Sequence, residues 1–101
     1  MAKSTIIFWR DIPSQVVIKH GRDSAKVQLS KRFMEAIDKA AMRAGRQGSK
    51  EYLEDWRREI KTCLGDPKTL ANKLAEELEQ KYTNNILKEI VKNKGLKINP
   101  T

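Results

Sequence analysis

The apolar period of this chain changes near Leu29, from about two residues before it to about 3.6 after it. A strand buries every second residue and a helix every third or fourth, so the change predicts strands followed by helices, an α+β domain. Ile6, Ile7, Phe8 and Trp9 form a β-prone run, Asp11 to Ser14 supply turn residues, and Gln15 to Lys19 resume with Val16, Val17 and Ile18. This predicts an antiparallel hairpin. His20 to Ser24 offer a second turn, with Gly21 free to take positive φ, and Lys26 to Leu29 alternate as a short third strand. Val16 and Ile18 share one parity, as do Val27 and Leu29, so these four point at the helices while Lys19, Lys26 and Gln28 face outward.

The helical part divides at its caps. Ser30 is an N-cap for a helix over Lys31 to Ala44, with Phe33, Ile37, Ala40 and Ala44 as core stripe and Gly45 as stop. Ser49 caps a second helix in which Leu53, Trp56, Ile60 and Cys63 recur at three and four residues, closing at Gly65. Asp66-Pro67 starts a third, because proline at the first helical position lacks only a donor that would be unpaired anyway. Its stripe runs Leu70, Leu74, Leu78, Tyr82, Ile86, then Leu87, Ile90 and Val91, to Gly95. Unbroken, such a helix of about 28 residues is roughly 42 Å long, against a radius of gyration of about 13 Å for a domain of this size. It must protrude or bend, and Thr83-Asn84-Asn85, three poor helix formers, is the place for the bend. The expectation is a single domain over residues 1–95: a short antiparallel sheet of two or three strands (1–29), a helical hairpin (30–64) and a long or bent helix (66–94), followed by a flexible tail, 96–101.

Chemistry is constrained by what the chain lacks. Cys63 and His20 are the only thiol and imidazole, far apart in sequence, so no metal site is expected, and Cys63 on an apolar stripe reads as structural. The five glycines never cluster as a phosphate-cradling loop, so no nucleotide or other cofactor is expected. Glu54/Asp55 and Glu76/Glu77/Glu79 are interleaved with lysines and arginines, as solvated helix faces are. No catalytic residue is therefore assigned, and the chain is expected not to be an enzyme. No apolar run approaches the length of a membrane span, and the N-terminal apolar segment is too short for a secretory leader. With one cysteine, the expected compartment is the cytoplasm.

What remains is charge. Lys and Arg outnumber Asp and Glu 21 to 13, net +8, and seven of the basic residues against two acidic ones lie in residues 1–32. Arg10, Lys19, Arg22, Lys26, Lys31 and Arg32 can form one basic surface from the hairpin to the first turn of the first helix, suited to phosphates or an acidic protein face. Lys31 and Arg32 stand at the unfavourable end of a helix dipole, a cost that a docked anion would relieve. Arg10, Arg22 and Lys26 bring cations to adjacent strands, where they repel unless something anionic lies between them. Trp9 is the ring to test beside this charge, although its place in an apolar run suits the core better. The competing account is a scatter of solvated lysines, with Arg57/Arg58 on a solvated helix face.

Trp9 to Val16, Gly21 to Ser30, Phe33 through Ala36-Ile37-Asp38 to Gly45, and Tyr52 to Arg58, in that order, resemble a small bacterial family labelled virulence factor. The module also resembles a terminal domain of the larger conserved virulence factor C proteins. The resemblance implies an adaptor or interaction role, with small stand-alone members placed beside folate and corrinoid one-carbon enzymes, and it carries no catalytic residues across. The leading expectation is thus an adaptor that binds a larger protein through the basic hairpin face or the apolar end of the third helix, Ile86, Leu87, Ile90 and Val91. Its rivals are nucleic-acid binding through the same basic face, and self-association through that helix as a homo-oligomer. No membrane partner is expected.

Overall fold

The computed structural model describes residues 2–46 and 48–97. Along the chain run β1 (Ala2–Trp9), β2 (Ile12–His20), β3 (Asp23–Gln28), α1 (Lys31–Arg43), α2 (Lys50–Glu54), β4 (Trp56–Cys63), α3 (Pro67–Lys81) and α4 (Asn84–Lys92). The strands form one antiparallel sheet in the order β3-β2-β1-β4. This is the α+β class expected, with four strands rather than two or three and four helices rather than about three.

The extra strand corrects the reading of residues 49–64 as one helix. Only Lys50–Glu54 is helical, and Trp56–Cys63 pairs with β1 from Ala2↔Cys63 to Trp9↔Trp56. The spacing of Leu53, Trp56, Ile60 and Cys63 mimics a helical stripe, but residues 57–62 are all exposed and have no apolar face to bury. What decides the conformation is β1. With β2 paired along one edge, its other edge offers a row of backbone donors and acceptors, and β4 takes them up, Ile60 and Thr62 opposing Thr5 and Lys3 while Trp56 to Glu59 oppose the Ile6–Trp9 run. Cys63 lies half-buried at the end of that strand rather than on a helix.

Val16 and Ile18 are buried as expected, Leu29 with them, and Ala25 and Val27 of β3 pack partly against the same core. α3 covers this face of the sheet through Ala71, Ala75 and Leu78. The β1–β2 register skips Ser14, so that Ile7 opposes Gln15 but Phe8 opposes Pro13, a bulge that tolerates proline within a strand. Beyond it Trp9 and Ile12 are fully buried with Phe33 and Ile37 of α1. Trp9 is therefore core. Its indole N–H donates to the Tyr52 carbonyl (3.0 Å), which removes the cost of burying that donor.

The long helix does break where expected. α3 ends at Lys81 with Tyr82 as its C-cap, Thr83 caps α4 by accepting the Ile86 N–H (3.3 Å), and Asp66 caps α3 by accepting from Thr69 N–H (3.1 Å). The break lets α4 fold back onto α1, where Leu87 and Ile90 are buried. Of the tail expected at 96–101, residues 98–101 lie outside the described ones, while the Lys97 N–H donates to Asp11 (2.6 Å). No helix among the described residues is long and apolar enough to cross a membrane.

Candidate functional site

Strand register fixes which side chains share the face of the sheet opposite α3. Residues directly opposite in an antiparallel pair project to the same side, so the pairings define three rows from β3 to β4. They are Ser24, Lys19, Lys3, Thr62; then Lys26, Val17, Thr5, Ile60; then Gln28, Gln15, Ile7, Arg58. Thr5, Ile7 and Val17 are half-buried by their neighbours, and Ile60 is 62% exposed. Around this apolar centre stand Lys3, Lys19, Lys26 and Arg58, all exposed, none in an ion pair among the described residues, and none of the twelve positions is acidic.

α1 borders this face at one end. Met34 reaches over it beside Ile7, Gln15, Gln28, Trp56 and Arg58 to form a cavity of ≈570 Å³, and accepts a hydrogen bond on its sulfur from Ser14 Oγ (3.6 Å). Tyr52 meets Trp56 edge to face, at 6.1 Å between ring centres. Burial, helped by Asp38, raises the Tyr52 phenol above its ordinary range, so it stays neutral there. The geometry offers a flat apolar strip with amide, hydroxyl and cationic groups at its margin. It can hold an extended or helical acidic surface.

The basic residues singled out from sequence do not stay together. Lys19 and Lys26 lie on the open face, and Arg22 is exposed in the turn between their strands. Lys31 is exposed at the start of α1, away from the strand rows. Arg10 is not free to hold a ligand. At 11% side-chain exposure it pairs with Asp55 (3.2 Å), donates to the Lys94 carbonyl (2.8 Å) and lies over the Trp9 ring. Asp55 also binds Arg46 (3.2 Å), so one carboxylate at α2's C-terminal end holds both guanidiniums in place.

Arg32 is likewise engaged. Its guanidinium donates to the carbonyls of Glu79 and Tyr82, pairs with the Glu79 carboxylate (3.0 Å) and stacks on Phe33, tying α1 to the end of α3. Burial alone would raise the Glu79 pKa, but hydrogen bonds from Ser30 and Arg32 outweigh it and hold the carboxyl below the usual glutamate range. The same carboxylate takes the Ser30 N–H and hydroxyl (both 2.7 Å), so Ser30 starts the helix without bonding its own amides. The apolar helix end is used too: Leu87 and Ile90 are buried, Val91 is half-buried, and Ile86 alone of the four is exposed, at 43%.

Missed from sequence were Lys3, Thr5, Ile7 and Gln15 as members of the face, and the whole contribution of β4, Arg58, Ile60 and Thr62. Alternation was the available signal. Trp56, Arg58, Ile60 and Thr62 repeat at two as well as the apolar positions repeat at three and four.

The segment that builds this arrangement, from Ile7 in β1 through the break to α4, is the part of the chain that corresponds to a known family. A family model described as Virulence factor matches residues 7–91. The chain belongs to that family. The match takes in the open-face positions of β2, β3 and β4, so the basic face is built almost wholly within the virulence factor module, with Lys3 and Thr5 just before it. No curated protein and no solved structure matches the chain.

Proposed function

We propose that this virulence factor family member is a non-catalytic adaptor that holds a larger, acidic protein on the open face of its sheet. One observation carries the reading: strand pairing places Lys3, Lys19, Lys26 and Arg58 around Thr5, Ile7, Val17 and Ile60 with no acid among them. Four cations left unpaired on one face repel each other, a cost that an anionic partner would remove. A β-branched apolar centre within a charged rim suits a protein surface, because the centre excludes water while the rim sets orientation and association rate. Single-stranded nucleic acid is the weaker fit. Its bases need exposed rings to stack on, and Trp9, the ring first considered for that purpose, lies fully buried in the core. The working context of the proposal is the bacterial cytoplasm, beside a larger enzyme system of the one-carbon, corrinoid-dependent kind implied by the resemblance.

The test is a pull-down from nuclease-treated lysate with the wild-type chain and with Lys19→Glu/Lys26→Glu/Arg58→Glu. A protein retained by the wild type, and lost from a variant that melts normally, supports the face. Retention by the variant refutes it, and disappearance of every ligand on nuclease treatment transfers the function to nucleic acid.

A further inference from the structure

β4 is an edge of the sheet, eight residues long, and Ile60 and Leu64 beside that edge are 62% and 78% exposed. Ser4 Oγ donates to the carbonyl of its partner Lys61 (3.2 Å), and one step beyond the Trp9↔Trp56 end of the pairing the Arg10 N–H donates to the Asp55 carbonyl (3.0 Å). Odd-numbered residues of β4 thus turn their backbone groups toward β1. Trp56, Arg58, Ile60 and Thr62, the even-numbered ones, turn theirs away from it, a row unpaired among the described residues and of the kind that recruits another strand.

A second copy can use that row only in certain registers. Antiparallel pairing about a twofold axis must oppose even-numbered residues to even-numbered ones, and side chains at all opposed positions then meet in pairs. With Arg58 opposite Ile60, Glu59 faces Glu59 and Arg57 faces Lys61. With Ile60 opposite Thr62, Lys61 faces Lys61. With Arg58 opposite its own copy, two arginines meet. With Ile60 opposite Ile60, each Glu59 faces Lys61 of the other copy, Arg58 faces Thr62, Arg57 faces Cys63 and Trp56 faces Leu64. This register brings no like charges opposite and gives both exposed aliphatic residues an apolar partner. The Glu59–Lys61 pairs fall at positions that exchange no backbone hydrogen bonds, where opposed side chains are closest. Charge on an edge strand ordinarily prevents pairing; here it excludes the registers on either side of the Ile60-centred one, which alone places Glu59–Lys61 pairs across the dyad.

We propose that two copies of the chain join along β4, antiparallel and centred on Ile60, into one continuous sheet with Glu59–Lys61 ion pairs on either side of the dyad. The inference is independent of the acidic partner, although the joined sheets would lengthen the open basic face. The test is sedimentation of the full chain at micromolar concentrations and physiological salt, where the overall charge of each copy is screened more than the directly opposed pairs. The wild type should sediment at twice 11.6 kDa. Glu59→Lys and Lys61→Glu each make both cross-dyad pairs repulsive and should weaken dimerisation at least about tenfold. An equimolar mixture of the two variants restores both pairs and should dimerise again, a result that no other interface predicts. Ile60→Pro removes an outward N–H and leaves the bonds to β1, so it should give a folded monomer; if it unfolds, the mixing experiment decides alone. A wild type that is monomeric throughout, a dimer that survives Lys61→Glu, or variants that fail to recombine would each overturn the proposal.

Discussion

Arg32 offers a sharp test of which cations build the fold and which are free for a partner. Replacing it with alanine removes hydrogen bonds to the carbonyls of Glu79 and Tyr82, an ion pair with Glu79 and the cover over Phe33. Both side chains of the pair are near 30% exposed, 28% and 31%, so water screens it, and it contributes only about 0.5–1 kcal/mol. The two charge-assisted bonds to carbonyls add about 1 kcal/mol each, less than a fully buried pair because the freed carbonyls at the end of α3 can be hydrated. The sum, about 2–3 kcal/mol, corresponds to a fall in Tm of roughly 10–20 °C for a domain of this size. Thermal and urea unfolding would measure it. Arg32→Lys should recover less than half, because a single ammonium cannot span two carbonyls and a carboxylate as a guanidinium does. A double-mutant cycle with Glu79→Gln isolates the pair. If Arg32→Ala melts within about 2 °C of the wild type, or the cycle shows coupling below about 0.3 kcal/mol, the latch between α1 and α3 is not what Arg32 provides.

The lowered Glu79 pKa carries a pH signature. Its folded value lies below the unfolded one, so its contribution is complete above the unfolded pKa near 4.5 and is lost as pH falls through the folded value; Glu79→Gln should therefore flatten the acid limb of a stability–pH curve and leave its alkaline limb unchanged. Gly95 has φ +90°, and a Cβ there would lie 2.7 Å from Trp9 Cζ3, on a ring with no room to retreat, so Gly95→Ala should cost about 2–4 kcal/mol in urea unfolding. By contrast Lys19→Glu/Lys26→Glu changes only exposed open-face positions and should shift stability by less than about 0.5 kcal/mol per site in the same assay; a larger loss would mean that these lysines belong to the fold.

The change of period at Leu29, the Asp66-Pro67 start and the weak helix formers at Thr83 to Asn85 were enough to predict the class of fold, the hairpin and the break between α3 and α4, because each depends on neighbours within a few residues. The outward set Lys19, Lys26 and Gln28 was legible for the same reason: alternation along one strand assigns its faces. β4 was not legible. Its exposed residues satisfy two periods at once, and the choice between them is made by β1, more than forty residues away, which needs a second neighbour for its backbone. The fate of each cation was settled in the same way. Arg10 and Arg32 look like Lys19 and Lys26 in a list of charges, yet Asp55 and Glu79, both distant in sequence, neutralise the first two and leave the others free. The sequence by itself determined the hairpin, the Asp66-Pro67 start, the break between α3 and α4 and the total charge. Which charges remain for a partner was decided only when tertiary contacts paired some of them, because an ion pair depends on distance in space and not on spacing along the chain.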